Sequence, residues 1–203
     1  MKKVLKIETS VNGAKSFSNK LSDAIIDKLK RTEPGLQLKT LDLTKHPFPH
    51  LEEAHLESFF TPKDQHQDKH RIAIRHSDDA IQQINEADII IIAVPIYNFS
   101  IPSTLKSWLD HVVRAGVTFK YTENGPEGLV KGKKVYLAIA SGAVFSEGMF
   151  KEYEFAEKYL RTILSFIGMS NISTFRLEGT AIPGIKETAV DKALNTVNEY
   201  EFV

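Results

Sequence analysis

Strand-like and helix-like segments alternate five times along this chain, and this alternation limits the fold more than any other feature. Strands are predicted at residues 3–9, 36–43, 88–94, 133–141 and 171–179. Helices are predicted after them, where apolar residues recur at helical spacing: Leu21, Ile25, Leu29, Ala80, Ile84, Leu105, Leu109, Tyr159, Ile163, Val190 and Val197. Parallel strands need right-handed crossovers, which place helices on both faces of the sheet. We therefore expect an α/β three-layer sandwich with five parallel strands in the order 2-1-3-4-5 and a ligand crevice at their carboxyl ends, beside strands 1 and 3.

The overall composition is that of an ordinary globular protein. No repeat, low-complexity tract or linker divides the 203 residues, so a single domain over residues 1–203 is expected. Lys+Arg and Asp+Glu balance at 26 each, which argues against a nucleic-acid partner and against an anionic membrane surface. No apolar run approaches the ~20 residues that span a bilayer, and no signal peptide is recognised. Cysteine is absent, which excludes disulfides and thiolate nucleophiles. A cytoplasmic location is expected.

The loop after the first strand, "TSVNGAKSFSNK", has the chemistry of a phosphate site. It places Ser10, Ser16 and Ser18 before a predicted helix, whose first N–H groups and dipole favour an anion. The glycine patterns of a P-loop and of a dinucleotide-binding fingerprint are both missing. The alternative interpretation is that Ser16 or Ser18 only caps the helix.

The loop after the third strand, "VPIYNFSIP", is too stiff and too aromatic for a plain connection. Pro95 and Pro102 restrain both of its ends. Between them Asn98 offers an amide with donors and an acceptor, while Tyr97 and Phe99 offer flat faces. Together these features fit a planar heteroaromatic ring with a polar edge, such as a flavin. The alternative is that the two aromatic residues pack against the end of a helix.

The loop after the fourth strand, "AIASGAVFSEGM", is built from small residues. Ala140, Ser141, Gly142 and Ala143 allow the backbone to approach a ligand closely. All three loops leave the same end of the predicted sheet, so one ligand can meet all of them.

A family resemblance is carried by the segment "PIYNFSIPSTLKSWLDHVVRAGVTFKYTENGPEGLVKGKK", residues 95–134. It resembles the FMN-dependent, NADH-using azoreductase and quinone reductase family, and the stretch "RAGVTFKYTENGPEGL" is highly specific to that family. The similarity extends over nearly the whole chain. The resemblance implies a flavodoxin-like fold, a homodimer and one FMN per subunit near the interface.

By position, the resemblance also implies the cofactor-binding residues. Those at the phosphate end are Ser10, Ser16, Phe17 and Ser18. Those at the isoalloxazine are Pro95, Ile96, Tyr97, Asn98 and Phe99, with Ala140, Ser141, Gly142 and Ala143 from the third loop. Better-known members of the family carry a Ser-Arg-Gly-Gly type run in that third loop. Backbone contacts survive this difference, whereas a guanidinium contact is lost.

Phe119 and Tyr121, in "GVTFKYTENGPEGLV", are too apolar for an idle surface loop. The resemblance favours an arm that wraps a partner subunit, and the alternative is a hairpin that covers its own sheet. We expect Phe119, Tyr121 and Phe166 to bind substrate. A monomer is expected to leave Phe119, Tyr121 and Val117 partly exposed, together with Trp108 if its own sheet does not cover it.

The predicted activity is the two-electron reduction of quinones and azo compounds by NADH through a ping-pong mechanism, because donor and acceptor use one face of the flavin in turn. No side chain has to act as acid or base, so no catalytic residue is named. No metal is expected either, since the histidines lack regular ligand spacing. The alternative is a flavodoxin-type electron carrier without an NADH step, although such carriers are strongly acidic. A flavin-independent binding module would leave the aromatic loop unexplained.

Overall fold

The computed structural model describes residues 1–202. Its main sheet consists of β1 (Lys3–Glu8), β2 (Gln37–Asp42), β3 (Ile89–Pro95), β6 (Lys134–Ala140) and β7 (Asn171–Leu177). A separate antiparallel hairpin consists of β4 (Phe119–Thr122) and β5 (Gly125–Gly128). All strand pairs of the main sheet are parallel, and the order is β2-β1-β3-β6-β7. Counted within the sheet alone, this is the predicted order 2-1-3-4-5.

Helices cover both faces of the sheet. They are α1 (Phe17–Thr32), α2 (Glu53–Phe60), α3 (Asp68–Glu86), α4 (Ser103–Val112), α5 (Ala156–Phe166) and α6 (Lys186–Glu199). Apolar residues of α1 and α6 pack in one core, and those of α3, α4 and α5 pack in the other. The predicted three-layer arrangement is confirmed. In the described part of the chain, no helix combines the length and the apolar character needed to cross a membrane.

The central strand β3 is buried along its whole length. Ile90 and Ile92 enter one core, whereas Ile89 and Ile91 enter the other, as the alternation of side chains along a strand requires. A continuous apolar run is therefore needed here, because neither face of the strand meets water. This core fixes the positions of the loops that leave the carboxyl end of the sheet.

The segment between β2 and α3 is rich in Pro, His and acidic residues. It contains α2, which begins with an unusual capping box: the N–H of Glu52, the N-cap residue, donates to Nδ1 of His55 at 3.0 Å. α2 is tied to α3 by Glu57, which accepts hydrogen bonds from Lys69 and His70. A short helix with Glu as its N-cap residue and His as the partner in the capping box has no common sequence signature, because N-cap residues are usually Ser, Thr, Asp or Asn.

The β4–β5 hairpin rests on the end of α5. The ring centroids of Phe119 and Phe166 lie 4.5 Å apart, and a Cβ at Gly128 would come within 2.2 Å of the nitrogen of Gly168. Phe119 is consequently 7% exposed, so the expectation that a monomer exposes it is wrong: its own chain covers the ring. Trp108 is fully buried as well, because its helix packs on the sheet. The expected exposure of Tyr121 is confirmed at 74%, and that of Val117 at 42%.

Candidate active site

The three predicted loops meet in one cleft at the carboxyl end of the sheet. The residues that line it are Ser10, Asn12, Ser16, Phe17, Ser18, Pro95, Ile96, Tyr97, Ala140, Ser141, Gly142 and Thr180. The lining thus includes every residue predicted to bind the cofactor except Asn98, Phe99 and Ala143. Thr180, from the loop after β7, was not predicted. It lies in the loop after the last strand of the sheet, and the sequence predicted a site only in the loops after the first, third and fourth strands.

Other grooves of the molecule lack this convergence. One of about 520 Å³ lies at the amino ends of β1 and β2, beside Leu38 and Ala87, and none of the predicted loops reaches it. A second, mixed-charge groove adjoins the cleft and shares Ser10 and Ser16 with it. Partial burial opposes the charge of Asp42 in this groove, but hydrogen bonds from Lys45 and Thr44 outweigh it and lower the pKa of the carboxyl to about 2. We place the site in the cleft that all three loops share.

The start of α1 forms the anion-binding end of the cleft. The Oγ of Ser16 accepts the N–H of Asn19 at 3.2 Å, which confirms Ser16 as a helix cap. The Oγ atoms of Ser16 and Ser18 are 3.1 Å apart, and both residues are buried. The N–H groups of Phe17 and Ser18 have no acceptor within residues 1–202. Capping therefore uses one acceptor site on Ser16 and leaves donors directed at the cleft.

The second loop is a tight turn with an uncommon backbone. The N–H groups of Tyr97 and Ser100 each donate to the other residue's carbonyl, at 3.0 and 3.1 Å. The two central residues, Asn98 and Phe99, have φ angles of 48° and 72°. Asparagine tolerates this left-handed conformation, but phenylalanine does so at a cost of about 1–2 kcal/mol. A strained turn beside a cleft is typical of a functional loop. Asn98, at the tip of the turn, is exposed and is not among the residues that line the cleft.

A hydroxyl pair joins the first two loops. The Oγ of Ser10 lies 3.5 Å from the hydroxyl of Tyr97, and it accepts the N–H of Asn12 at 3.3 Å. The neighbouring Thr9 donates its hydroxyl to the carbonyl of Ala93 at 2.7 Å. The loops after β1 and β3 are thus held at a fixed separation.

The third loop is locked against the loop after β7. Thr180 donates its hydroxyl to the carbonyl of Ser141 at 3.1 Å, and the N–H of Ala181 donates to the carbonyl of Gly142 at 3.0 Å. Ala143 lies behind the cleft, where its carbonyl accepts the hydroxyl of Ser141 at 2.7 Å. The N–H groups of Gly142 and Ala143 have no acceptor in the described chain. The small residues therefore present backbone donors, as the sequence analysis expected.

A cluster of aromatic rings, here called the aromatic wall, stands beside the second loop. It consists of Phe99, Phe145, Phe150 and Tyr153. The ring centroid of Phe99 lies 6.1 Å from that of Phe145 and 5.7 Å from that of Tyr153. Apart from Phe99, these residues were missed by the sequence analysis, although the aromatic-rich stretch "FSEGMFKEYEF" was a visible signal. The rings are tilted or edge-on to one another, so the wall is an apolar cluster beside the second loop rather than a flat surface.

The predicted substrate-binding residues form a separate group. The ring of Phe119 lies 5.5 Å from that of Tyr121 and 4.5 Å from that of Phe166. None of the three lines the cleft of its own chain. They stay predictions for the substrate site.

The fold and the cleft define a flavodoxin-like protein with its ligand site at the carboxyl end of the sheet. A family model described as "Flavodoxin-like fold" matches residues 2–200. The chain is 43% identical over 201 residues to an FMN-dependent NADH:quinone oxidoreductase of Herminiimonas arsenicoxydans, covering 98% of each chain. It is 40% identical over 199 residues to another protein of that name from Beijerinckia indica, again covering 98% of each.

Solved structures agree with these relatives. An azoreductase from Bacillus anthracis str. Sterne matches with a TM-score of 0.88 and 31% identity, covering 98% of this chain and 100% of that one. An FMN-dependent NADH-azoreductase from Bacillus anthracis str. Ames Ancestor, in complex with FMN, matches with a TM-score of 0.86 and 26% identity, covering 98% and 97%. The chain belongs to the flavodoxin-like family of FMN-dependent NADH:quinone oxidoreductases and azoreductases.

Proposed function

We propose that this protein is an FMN-dependent NADH:quinone oxidoreductase that also reduces azo compounds, each by two electrons in a ping-pong mechanism. The observation that carries the proposal is the single cleft formed by the loops after β1, β3 and β6. These loops hold an anion site, a stiff aromatic turn and a row of backbone donors within one cavity. The names of relatives that share at least 36% identity over nearly the whole chain support the same activity.

The residues of the cleft fit FMN. At one end, the N–H groups of Phe17 and Ser18 and the hydroxyl of Ser18 suit a phosphate at a helix N-terminus. At the other end, the N–H of Gly142, which lines the cleft, suits the polar edge of the ring, and the free N–H of Ala143 follows it in the chain. Tyr97 lies between these ends and offers an apolar face. The cleft is lined without any Asp or Glu, so no carboxylate repels a phosphate there.

The side chains bind and orient rather than transfer protons. When bound, FMN would supply the redox chemistry by accepting a hydride from NADH and passing two electrons to the acceptor. The backbone donors of the third loop would stabilise negative charge at the cofactor's polar edge, because they are fixed before the reaction. The aromatic wall would exclude water and offer a stacking surface. No His, Asp, Glu or Lys lines the cleft, so none of these serves as a general acid or base within it.

We also propose that the active unit is a homodimer. The cleft has no hairpin residue in its lining, while Tyr121 exposes apolar surface on the hairpin and Val117 exposes it just before β4. An apolar surface of this kind suits a two-fold interface, where the same surface meets itself. In that arrangement the group of Phe119, Tyr121 and Phe166 would complete the partner's cleft. That the chain forms a single domain and that the protein is cytoplasmic also stay predictions.

Initial rates of NADH oxidation test the proposed function. With purified protein and added FMN, rates are measured at several fixed concentrations of a benzoquinone and of an azo dye. We expect parallel lines in double-reciprocal plots, which indicate ping-pong turnover. Intersecting lines would contradict the shared site, and the absence of NADH oxidation would favour the electron carrier instead.

A further inference from the structure

We propose that Glu178 is a positioning residue that holds the aromatic wall beside the cofactor cleft and so sets the affinity for NADH and for the flat acceptor. Glu178 follows the last residue of β7 and does not line the cleft. Its influence would pass through the loop after β6. This inference rests on the proposed function, since it concerns the substrates of that same site.

The carboxylate of Glu178 anchors this loop by its backbone. One oxygen, Oε1, accepts the N–H of Phe145 at 2.9 Å and the N–H of Ser146 at 3.1 Å. Nη1 of Arg176 also donates to it at 3.1 Å. The side chain of Glu178 is only 10% exposed, so little water competes for these bonds. Hydrogen bonds to a buried carboxylate are stronger than those between neutral groups.

The anchor itself is rigid. Arg176 bonds to Glu157 of α5 as well as to Glu178, and it also approaches Glu154 at 3.7 Å. Burial opposes the charge of Arg176, but the hydrogen bond to Glu157 and the nearby carboxylates outweigh it and raise the pKa of the guanidinium. Thr174 donates to Glu157 at 2.6 Å. A strand, a helix and the wall-bearing loop thus meet at one ion network.

The loop between β6 and α5 carries the aromatic wall. It leaves the cleft after Gly142, and it returns to the second loop at Phe155, whose N–H donates to the carbonyl of Phe99 at 3.2 Å. The middle of this loop is exposed, with Met149 at 81%. Phe145 is 6% exposed and contacts both Phe99 and Phe150. Holding the N–H of Phe145 therefore holds the ring around which the wall is built.

The contacts of the cofactor are separate from this anchor. Ser141 is fixed by its own N–H, which donates to the carbonyl of Leu177 at 3.0 Å, and Gly142 is fixed by Ala181. Loss of Glu178 should therefore loosen the wall and spare the loop residues that line the cleft. Arg176 would keep Glu157 as a partner, so no buried charge is left alone.

The test compares Glu178→Ala and Glu178→Gln with Glu147→Ala, using the full-length FMN-loaded protein. Glu147 lies in the same loop, and its side chain has no hydrogen bond or ion pair in the described chain, so its variant matches the change in charge. Amide hydrogen exchange at Phe145 and Ser146 reports the anchor directly. Flavin fluorescence gives the FMN affinity. Anaerobic stopped-flow gives the apparent Kd for NADH and the limiting reduction rate, and steady-state rates give the KM for a benzoquinone.

For Glu178→Ala we expect faster exchange at both amides and an increase of about tenfold in the NADH Kd and the quinone KM, the size of one charge-assisted hydrogen bond. FMN affinity and the limiting reduction rate should stay at their wild-type values. Glu178→Gln keeps an acceptor oxygen and should restore most of the affinity, while Glu147→Ala should match the wild type.

Unchanged exchange protection or unchanged substrate affinity in Glu178→Ala would overturn the proposal. If that variant does not fold, amide exchange of the wild-type protein decides, and amides of Phe145 and Ser146 that exchange without protection would overturn the proposal. A wild-type protein that does not oxidise NADH would contradict the proposed function instead. The exchange experiment would still show whether Glu178 holds the loop.

Discussion

The hydroxyl oxygens of Ser16 and Ser18 lie 3.1 Å apart at the first turn of α1, and both residues are almost fully buried. Ser16 caps the helix through the N–H of Asn19, while the N–H of Ser18 stays available. Two interpretations of this loop, as a helix cap and as a phosphate site, are therefore compatible. The cap fixes the first turn, and the fixed turn presents the donors that an anion needs.

Replacing both serines, as Ser16→Ala with Ser18→Ala, should weaken FMN binding. Each lost charge-assisted hydrogen bond is expected to cost about 1.5–3 kcal/mol of binding free energy, and the lost cap about 1 kcal/mol of folding stability. Fluorescence titration with FMN and urea unfolding measure the two effects separately. Ser22→Ala is the control, because Ser22 is also buried on α1 but bonds to the carbonyl of Asn19. If the double variant binds FMN as tightly as the wild type, the two serines serve only to cap the helix.

Asn98 can be separated into its backbone and side-chain roles. Its φ of 48° is easy for glycine and unfavourable for a branched apolar residue. Asn98 does not line the cleft, but it adjoins Tyr97, which does. We predict that its amide reaches the polar edge of the bound cofactor, so Asn98→Gly should keep the fold but shift the flavin midpoint potential. Asn98→Leu should shift the potential and also lower the stability by about 1–2 kcal/mol. A potential that stays at the wild-type value in both variants would remove Asn98 from the site.

The hairpin offers a test of the dimer that spares the fold of the subunit. Phe119 is unsuitable, because its ring is buried in its own chain and its loss costs about 3–5 kcal/mol. Tyr121→Lys with Val117→Lys changes only exposed side chains. We expect light scattering to show a weaker dimer and kinetics to show lower turnover. Leu38→Lys, on the edge strand β2, is the control. A monomeric double variant with full turnover would show that one chain holds a complete site.

Acid should destabilise the protein through His111. The ring of His111 is fully buried, and this burial lowers its pKa below the ordinary value of 6.5. The hydrogen bond to the carbonyl of Pro49 raises the pKa, but its effect is smaller. The unfolded chain therefore binds the proton at a higher pH than the folded one. The contribution to stability is complete above pH 6.5 and is lost as the pH falls below it.

Urea unfolding between pH 7.5 and pH 5 measures this loss, which cannot exceed about 1.4 kcal/mol per pH unit for one proton. His111→Gln should flatten the slope, since its side chain does not titrate. An equal slope in both proteins would assign the acid sensitivity to other groups.

The sheet could be predicted from the sequence because its strands are buried on both faces. A strand such as Ile89–Pro95 is apolar at every position because it packs against both cores, and this continuous apolar run is visible in the sequence. The alternation of strands with helices then leaves few possible topologies. α2 could not be predicted, since it has only eight residues and its N-cap residue is Glu52 rather than Ser, Thr, Asp or Asn. Which side chains of the hairpin are exposed could not be predicted either, because packing against other elements decides it. Phe119 is buried because Gly128 and Gly168 let the hairpin approach α5, a contact between distant residues.

The cofactor loops were predictable because their chemistry is local: serines before a helix and prolines around an aromatic turn. Thr180 and Phe145 were not predicted, because their roles depend on tertiary contacts. Thr180 reaches the site by a hydrogen bond to Ser141 across two neighbouring strands. Phe145 is held by Glu178, a residue far along the chain.

The anaerobic reduction of the protein-bound flavin by NADH tests the account most directly. Purified protein is loaded with FMN, freed of excess cofactor and titrated with NADH without oxygen, while the flavin absorbance is recorded. We predict that one equivalent of NADH bleaches the flavin band and that one equivalent of benzoquinone then restores it in a separate step. A protein that binds no FMN, or whose bound flavin keeps its absorbance in the presence of NADH, would contradict the assignment as an NADH:quinone oxidoreductase.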